Sequence, residues 1–81
     1  MRLPRDVSGA DLIKALNRLG YTVTRRKGSH IRLTNVTRKY THHVTIPDHD
    51  PIKVGTLNNI LKDIAEHVGL SRDELLAQLF S

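Results

Sequence analysis

An 81-residue chain supports one domain around one small core. It contains no cysteine, which excludes disulfides, thiol chemistry and zinc fingers of the Cys type. Hydrophobic residues make up 38% and charged residues 26% without low-complexity tracts, and the formal net charge is +5, so a long disordered region is not expected and a polyanion partner is.

The first helix is predicted over about residues 9 to 19. Ser8 and Asp11 have the spacing of a capping box, Leu12, Ile13, Leu16 and Leu19 recur at helical intervals, and Gly20 suits a left-handed stop. YTVTRRK is β-branched and alternating, which predicts a strand over 21 to 27. Gly28-Ser29 is a tight turn, and HIRLT gives a second strand over 30 to 34. NVTRKYT is polar and basic and is read as a loop. HHVTIP gives a third strand over 42 to 46, closed by Pro47. Short connections make the three strands an antiparallel meander.

A second helix carries Leu57, Ile60, Leu61, Ile64 and Val68 on one stripe and ends at Gly69. Asp50-Pro51 would start it well, but Gly55 then falls inside; a start nearer Val54 or Gly55 is the alternative. Ser71 and Glu74 form a second capping box before a last helix over about 72 to 79, with Leu75, Leu76 and Leu79 facing inward. The expected fold is α+β, an α-β-β-β-α order with helices on one face of a three-stranded sheet and a short C-terminal helix. Strand parity sends Val23, Ile31, Leu33, Val44 and Ile46 to the core. Thr22, Thr24, Arg26, His30, Arg32, His43 and Thr45 then share the open face.

The charge is one-sided. Asp11 and Asp48 bracket a segment with no acidic residue, which holds Lys14, Arg18, Arg25, Arg26, Lys27, Arg32, Arg38 and Lys39. An open face of hydroxyls, guanidiniums and imidazoles has the composition of a surface for a phosphate backbone. A solubilising surface and an acidic protein partner are the other readings of the same charge. No apolar run approaches the length of a membrane span, and MRLPRDVSGADL lacks the apolar stretch of a signal peptide; a cytoplasmic protein with no membrane partner is expected.

Five segments taken in order, a helix ending LGY, RRKGSHIRL, HHVTIPDHD, KVGTLNNILKDI and GLSRDELL, resemble the HicA (YcfA-like) family of toxins from toxin–antitoxin pairs. Together they cover nearly the whole chain. The resemblance implies a double-stranded-RNA-binding-like fold, a ribosome-independent mRNA endonuclease, and neutralisation by a HicB-type antitoxin. It maps the family's catalytic histidine onto His30, with Gly28 and Ser29 as the preceding small-residue turn, and matches Gly55, Thr56 and Leu57 to the motif that opens the second helix. The chain departs from the shortest members in running on through LKDIAEHVGLS into a further helical turn.

RNA can be cut without a metal because its 2′-hydroxyl is an internal nucleophile. A base takes the hydroxyl proton, cations stabilise charge on phosphorus, and an acid protonates the leaving oxygen. Histidine, with a reference pKa of about 6.5, suits either proton transfer. The expected site is therefore His30 as the catalytic group. Arg25, Arg26, Lys27, Gly28, Ser29, Arg32, Arg38, Lys39 and His43 are expected to contact RNA. A short second hairpin would put His43 beside Arg32 and diagonal to His30.

HHVTIPDHD raises a metal question through His42, His43, Asp48, His49 and Asp50. Consecutive strand residues point to opposite faces, and no HExxH spacing is present, so neither a metal nor a small-molecule cofactor is expected. His49 is read as a loop-stabilising residue and His67 as a complement to the helix dipole. Two rivals to the enzyme remain: a non-catalytic module holding double-stranded RNA by shape, and an interaction protein whose basic face meets an acidic chain.

Overall fold

The computed structural model describes residues 3–37 and 39–80. Its elements run α1 (Gly9–Asn17), β1 (Tyr21–Lys27), β2 (His30–Asn35), β3 (His42–Pro47), α2 (Val54–Val68) and α3 (Arg72–Phe80). The sheet order is β1-β2-β3 with both pairs antiparallel, so the α+β meander expected from the sequence is the fold. Among the described residues no helix is long and apolar enough to cross a membrane.

Helix α1 starts at Ser8, whose hydroxyl accepts from the Asp11 N–H at 3.0 Å while the Asp11 carboxylate accepts from the Ser8 N–H. Two otherwise orphaned N–H groups are satisfied together. The helix ends two residues earlier than its periodicity suggests. The N–H groups of Leu19 and Gly20 reach back only three residues, to Leu16 and Asn17, so the last turn tightens before Gly20 takes a φ of 92°. Ser71 and Glu74 repeat the reciprocal cap at α3.

Helix α2 starts at Val54, the later of the two alternatives. The preceding loop is occupied otherwise. The Asp48 N–H donates to the Ser29 carbonyl, the His49 carbonyl accepts from Gly9, and the Ile52 N–H donates to Val7 with the Ile52 side chain buried. Gly69, at φ 72°, ends α2 as expected.

Leu12, Ala15 and Leu16 of α1, Leu57, Leu61 and Ile64 of α2 and Leu75, Leu76 and Leu79 of α3 are buried in one cluster. They cover Tyr21, Ile31, Leu33, Val44 and Ile46 of the sheet. Val23 is a correction: it stands opposite buried Leu33 but is 38% exposed, because β1 is an edge strand that the helices do not fully cover.

Arg26 is a second correction. The pairing of β1 with β2 shifts between Val23 and Arg25, so that Arg25 lies opposite Arg32 and Arg26 opposite Ile31. This β-bulge reverses parity for the rest of the strand. Arg26 therefore leaves the open face for the side of buried Ile31, and Arg25 takes its place.

Candidate functional site

The hairpin between β1 and β2 places the site. Gly28 supplies the single positive φ, 59°, that a type II′ turn requires at its first position. No atom lies within 4 Å of where a Cβ would stand, so the glycine serves the backbone angle and not a close approach. Ser29 is clamped from behind, its carbonyl accepting the Asp48 N–H at 2.7 Å. His30 follows as the first residue of β2, exposed, with Lys27 opposite it on β1 and Pro47 opposite it on β3.

One step along the open face, Arg32 lies between Arg25 and Thr45. Like charges directly opposite on a sheet destabilise it. An exposed Arg–Arg pair next to a Lys–His pair is thus a fold-stability cost that an anion would relieve. By register, Lys27, His30, Arg25 and Arg32 are the corners of a square of cross-strand neighbours at the turn end of the sheet, of the sign that suits a phosphate.

The third strand departs from the expected register. Thr45, not His43, stands opposite Arg32; His43 stands opposite Thr34. From His30 to Thr34 is four residues of strand, about 13 Å at the usual rise. His43 and His30 share the open face without sharing a site. His43 is instead held by a chain of side chains across all three strands: Thr24 Oγ1 to Thr34 Oγ1 at 2.8 Å, and Thr34 Oγ1 to His43 Nδ1 at 2.8 Å. Lys39 is exposed in the connection between β2 and β3, at the opposite end of the sheet from His30. Arg38 lies outside the described residues.

His42 and His67 serve the fold. His42 lies on the helix side, accepting or donating at Nδ1 with the Tyr21 hydroxyl at 2.7 Å and meeting Asp63 through Nε2 at 3.2 Å. His67 is buried and not merely at the helix end: its ring stacks on His42 with centroids 4.4 Å apart, and Tyr21 and Tyr40 meet it edge-on. Burial pushes the Tyr21 hydroxyl up to about 12, with Asp63 and Tyr40 adding to the rise and Asn35 opposing it. The apolar spacing of α2 pointed to its core but gave no sign that His67 belongs to it. Among the described residues no group of three or more His, Cys, Asp or Glu side chains is placed to hold a metal ion. His42 and His43 take their partners on opposite faces.

Asn35 was also not anticipated. Fully buried at the end of β2, it donates from its amide to the Leu19 carbonyl at 3.2 Å and accepts from the Thr37 N–H at 2.8 Å. It ties the α1–β1 corner to the loop that leaves β2. The one signal for it was a lone amide at the boundary of an alternating strand.

No curated protein and no solved structure matches the chain at a significant level. A family model does match: that of the HicA toxin of bacterial toxin–antitoxin systems, over residues 9–65. The matched span runs from the first residue of α1 through the sheet and the His30 turn into α2, and leaves α3 outside it. It covers more than half of the chain, and with the fold and the HicA-like segments in agreement, this chain belongs to the HicA family, the toxins of toxin–antitoxin systems.

Proposed function

We propose that this toxin cuts mRNA without a metal, with His30 as the proton-transfer group and Arg25, Lys27 and Arg32 as the cations that hold and stabilise the scissile phosphate. The observation that carries the reading is the square itself: an exposed imidazole at a clamped turn, beside a repulsive Arg25–Arg32 pair, in a chain of this family. The 2′-hydroxyl attacks phosphorus as His30 takes its proton, the guanidiniums stabilise charge on the phosphoryl oxygens, and the P–O5′ bond breaks to leave a 2′,3′-cyclic phosphate and a 5′-oxygen that takes its proton from solvent. The N–H groups of Gly28 and Ser29 lie at the same turn and add donors to the phosphate. Lys39 and His43, farther along the face, contact flanking RNA and not the reacting atoms. Arg26 acts from the other side of β1, and Arg38 remains an RNA contact by its charge alone. A HicB-type antitoxin neutralises the toxin by covering this face in the cytoplasm.

A non-catalytic RNA-binding module is the second reading. It is favoured by the displacement of His43, which leaves His30 without a neighbouring imidazole. Wild-type protein and His30→Ala, each with labelled mRNA in excess EDTA, separate the two. Cleavage by the wild type and binding without cleavage by the variant support the enzyme. Binding by both with cleavage by neither supports the module.

A further inference from the structure

The β1 bulge does more than exchange Arg25 for Arg26. It delivers Arg26 to a cavity of about 280 Å³ on the helix side of the β1 edge, between α1 and the start of β2. Ala10, Ile13 and Ile31 give this cavity apolar walls, while Arg26, Asp48 and Asn17 give it a guanidinium, a carboxylate and an amide, with Lys14 also on its lining. Two of these walls join directly to the candidate active site. Ile31 follows His30 in β2, and Asp48 binds through its N–H to Ser29, the residue before His30.

A phosphate does not fit this lining, because Asp48 would repel it and the apolar walls would go unused. A flat neutral ring with donors and acceptors on its edge does fit. The volume lies just under the usual range of about 300–1,000 Å³ for drug-sized ligands, which suits a single base. Guanine is the base that offers two adjacent donors, N1–H and N2–H, to the two oxygens of one carboxylate, with O6 and N7 beyond them as acceptors for a guanidinium. Single-stranded RNA is commonly read through bases splayed out of the stack into such pockets.

We propose that the cavity between α1 and β1 is a specificity pocket for a guanine base neighbouring the scissile phosphate, with Asp48 accepting from its N1–H and N2–H, Arg26 donating to its O6 or N7, and Lys14 meeting its own phosphate. The pocket rests on the RNA-cleaving reading: the strand lies over Lys27 and His30 and turns one base around the edge of β1. The bulge thus divides the Arg25-Arg26-Lys27 run between phosphate binding on one face and base reading on the other.

The test titrates the full chain with GMP, AMP, CMP, UMP and inorganic phosphate separately, following backbone amide shifts. The expected result is that GMP moves the amides of Asn17, Arg26, Ile31 and Asp48 and binds at least tenfold tighter than the other three nucleotides. Asp48→Asn, which keeps the backbone bond to Ser29, is expected to bring GMP down to their level. Equal binding of all four nucleotides, or shifts reproduced by phosphate alone, overturns the pocket. Mapping of wild-type cleavage on a mixed RNA pool is the second arm. Cuts beside G that Asp48→Asn slows about tenfold support it, and cuts indifferent to G overturn it. The titration does not depend on cleavage: a wild type that cuts nothing yet binds GMP selectively keeps the pocket and removes the endonuclease, whereas a wild type that cuts but binds the four nucleotides alike does the reverse.

Discussion

Arg25 and Arg32 face each other across the β1–β2 pair in the absence of RNA, and neutralising either should make the protein more stable and a poorer RNA binder. Two exposed unit charges about 6 Å apart in water repel by about 0.7 kcal/mol. Screening at physiological salt, where the Debye length is about 8 Å, roughly halves that. Arg25→Gln and Arg32→Gln should therefore each stabilise the fold by about 0.3–0.4 kcal/mol, a rise of about 1–3 °C in Tm for a domain of this size. The double variant should gain little more, because one substitution already removes the repulsion, and the coupling in a double-mutant cycle should vanish in 1 M salt. In the same variants the log–log salt dependence of RNA binding should flatten by about 0.7 for each single-strand phosphate that is no longer neutralised. Urea melts at two salt concentrations and a binding titration read both halves. Destabilisation by either single variant, or coupling that persists at 1 M salt, would refute the opposed pair and with it the register that builds the site.

Gly28→Ala should cost about 1–2 kcal/mol, because an L side chain is disfavoured at φ 59°, and should reduce cleavage by loosening the turn that aims His30; urea melts and a cleavage assay report the two. Ser8→Ala removes the acceptor for the Asp11 N–H and should cost about 1 kcal/mol in chemical denaturation. Leu33→Ala, in the fully buried middle of β2, should cost about 2–5 kcal/mol in the same assay. The Tyr21 hydroxyl, raised to about 12, keeps its proton in the folded state while the unfolded chain loses it near 10. Its contribution to stability is thus complete below pH 10 and lost as pH rises toward 12, an alkaline sensitivity that Tyr21→Phe should remove from pH-dependent melting curves.

The helices were legible because their signals are local. Each cap is a pair of residues three apart, and each stripe repeats within its own segment, so Ser8–Asp11, Ser71–Glu74 and Gly69 marked ends that the structure keeps. The strands were legible as elements but not in their pairing. YTVT alternates, but the three cations that follow carry no apolar residue to fix a face, so nothing in RRK marks the bulge, which exists only in relation to β2. That misplaced Arg26 and concealed the opposed arginines. The second hairpin misled for a related reason: the length of its connection, residues 36 to 41, decides which residue of β3 meets Arg32, and its polar composition does not encode that length as a register. Residues 48 to 53 show the same dependence on distant partners. Asp50-Pro51 has the local form of a helix start, but the segment is tied to Ser29, Gly9 and Val7, buries Ile52, and turns into the helix only at Val54. His30 lies where the sequence placed it, as the first residue of β2, because a two-residue turn at Gly28-Ser29 is itself a local signal.

The most direct measurement is the chemistry of the cut ends. One RNA is incubated with the wild-type toxin in EDTA, beside the same strand carrying 2′-deoxy sugar throughout, and the products are identified by mass. The account predicts 2′,3′-cyclic phosphate ends from the RNA, none from His30→Ala, and no cleavage of a deoxy strand that still binds. Cleavage of the deoxy strand, or 5′-phosphate and 3′-hydroxyl ends from the RNA, would contradict it, because water and not the 2′-hydroxyl would then be the nucleophile.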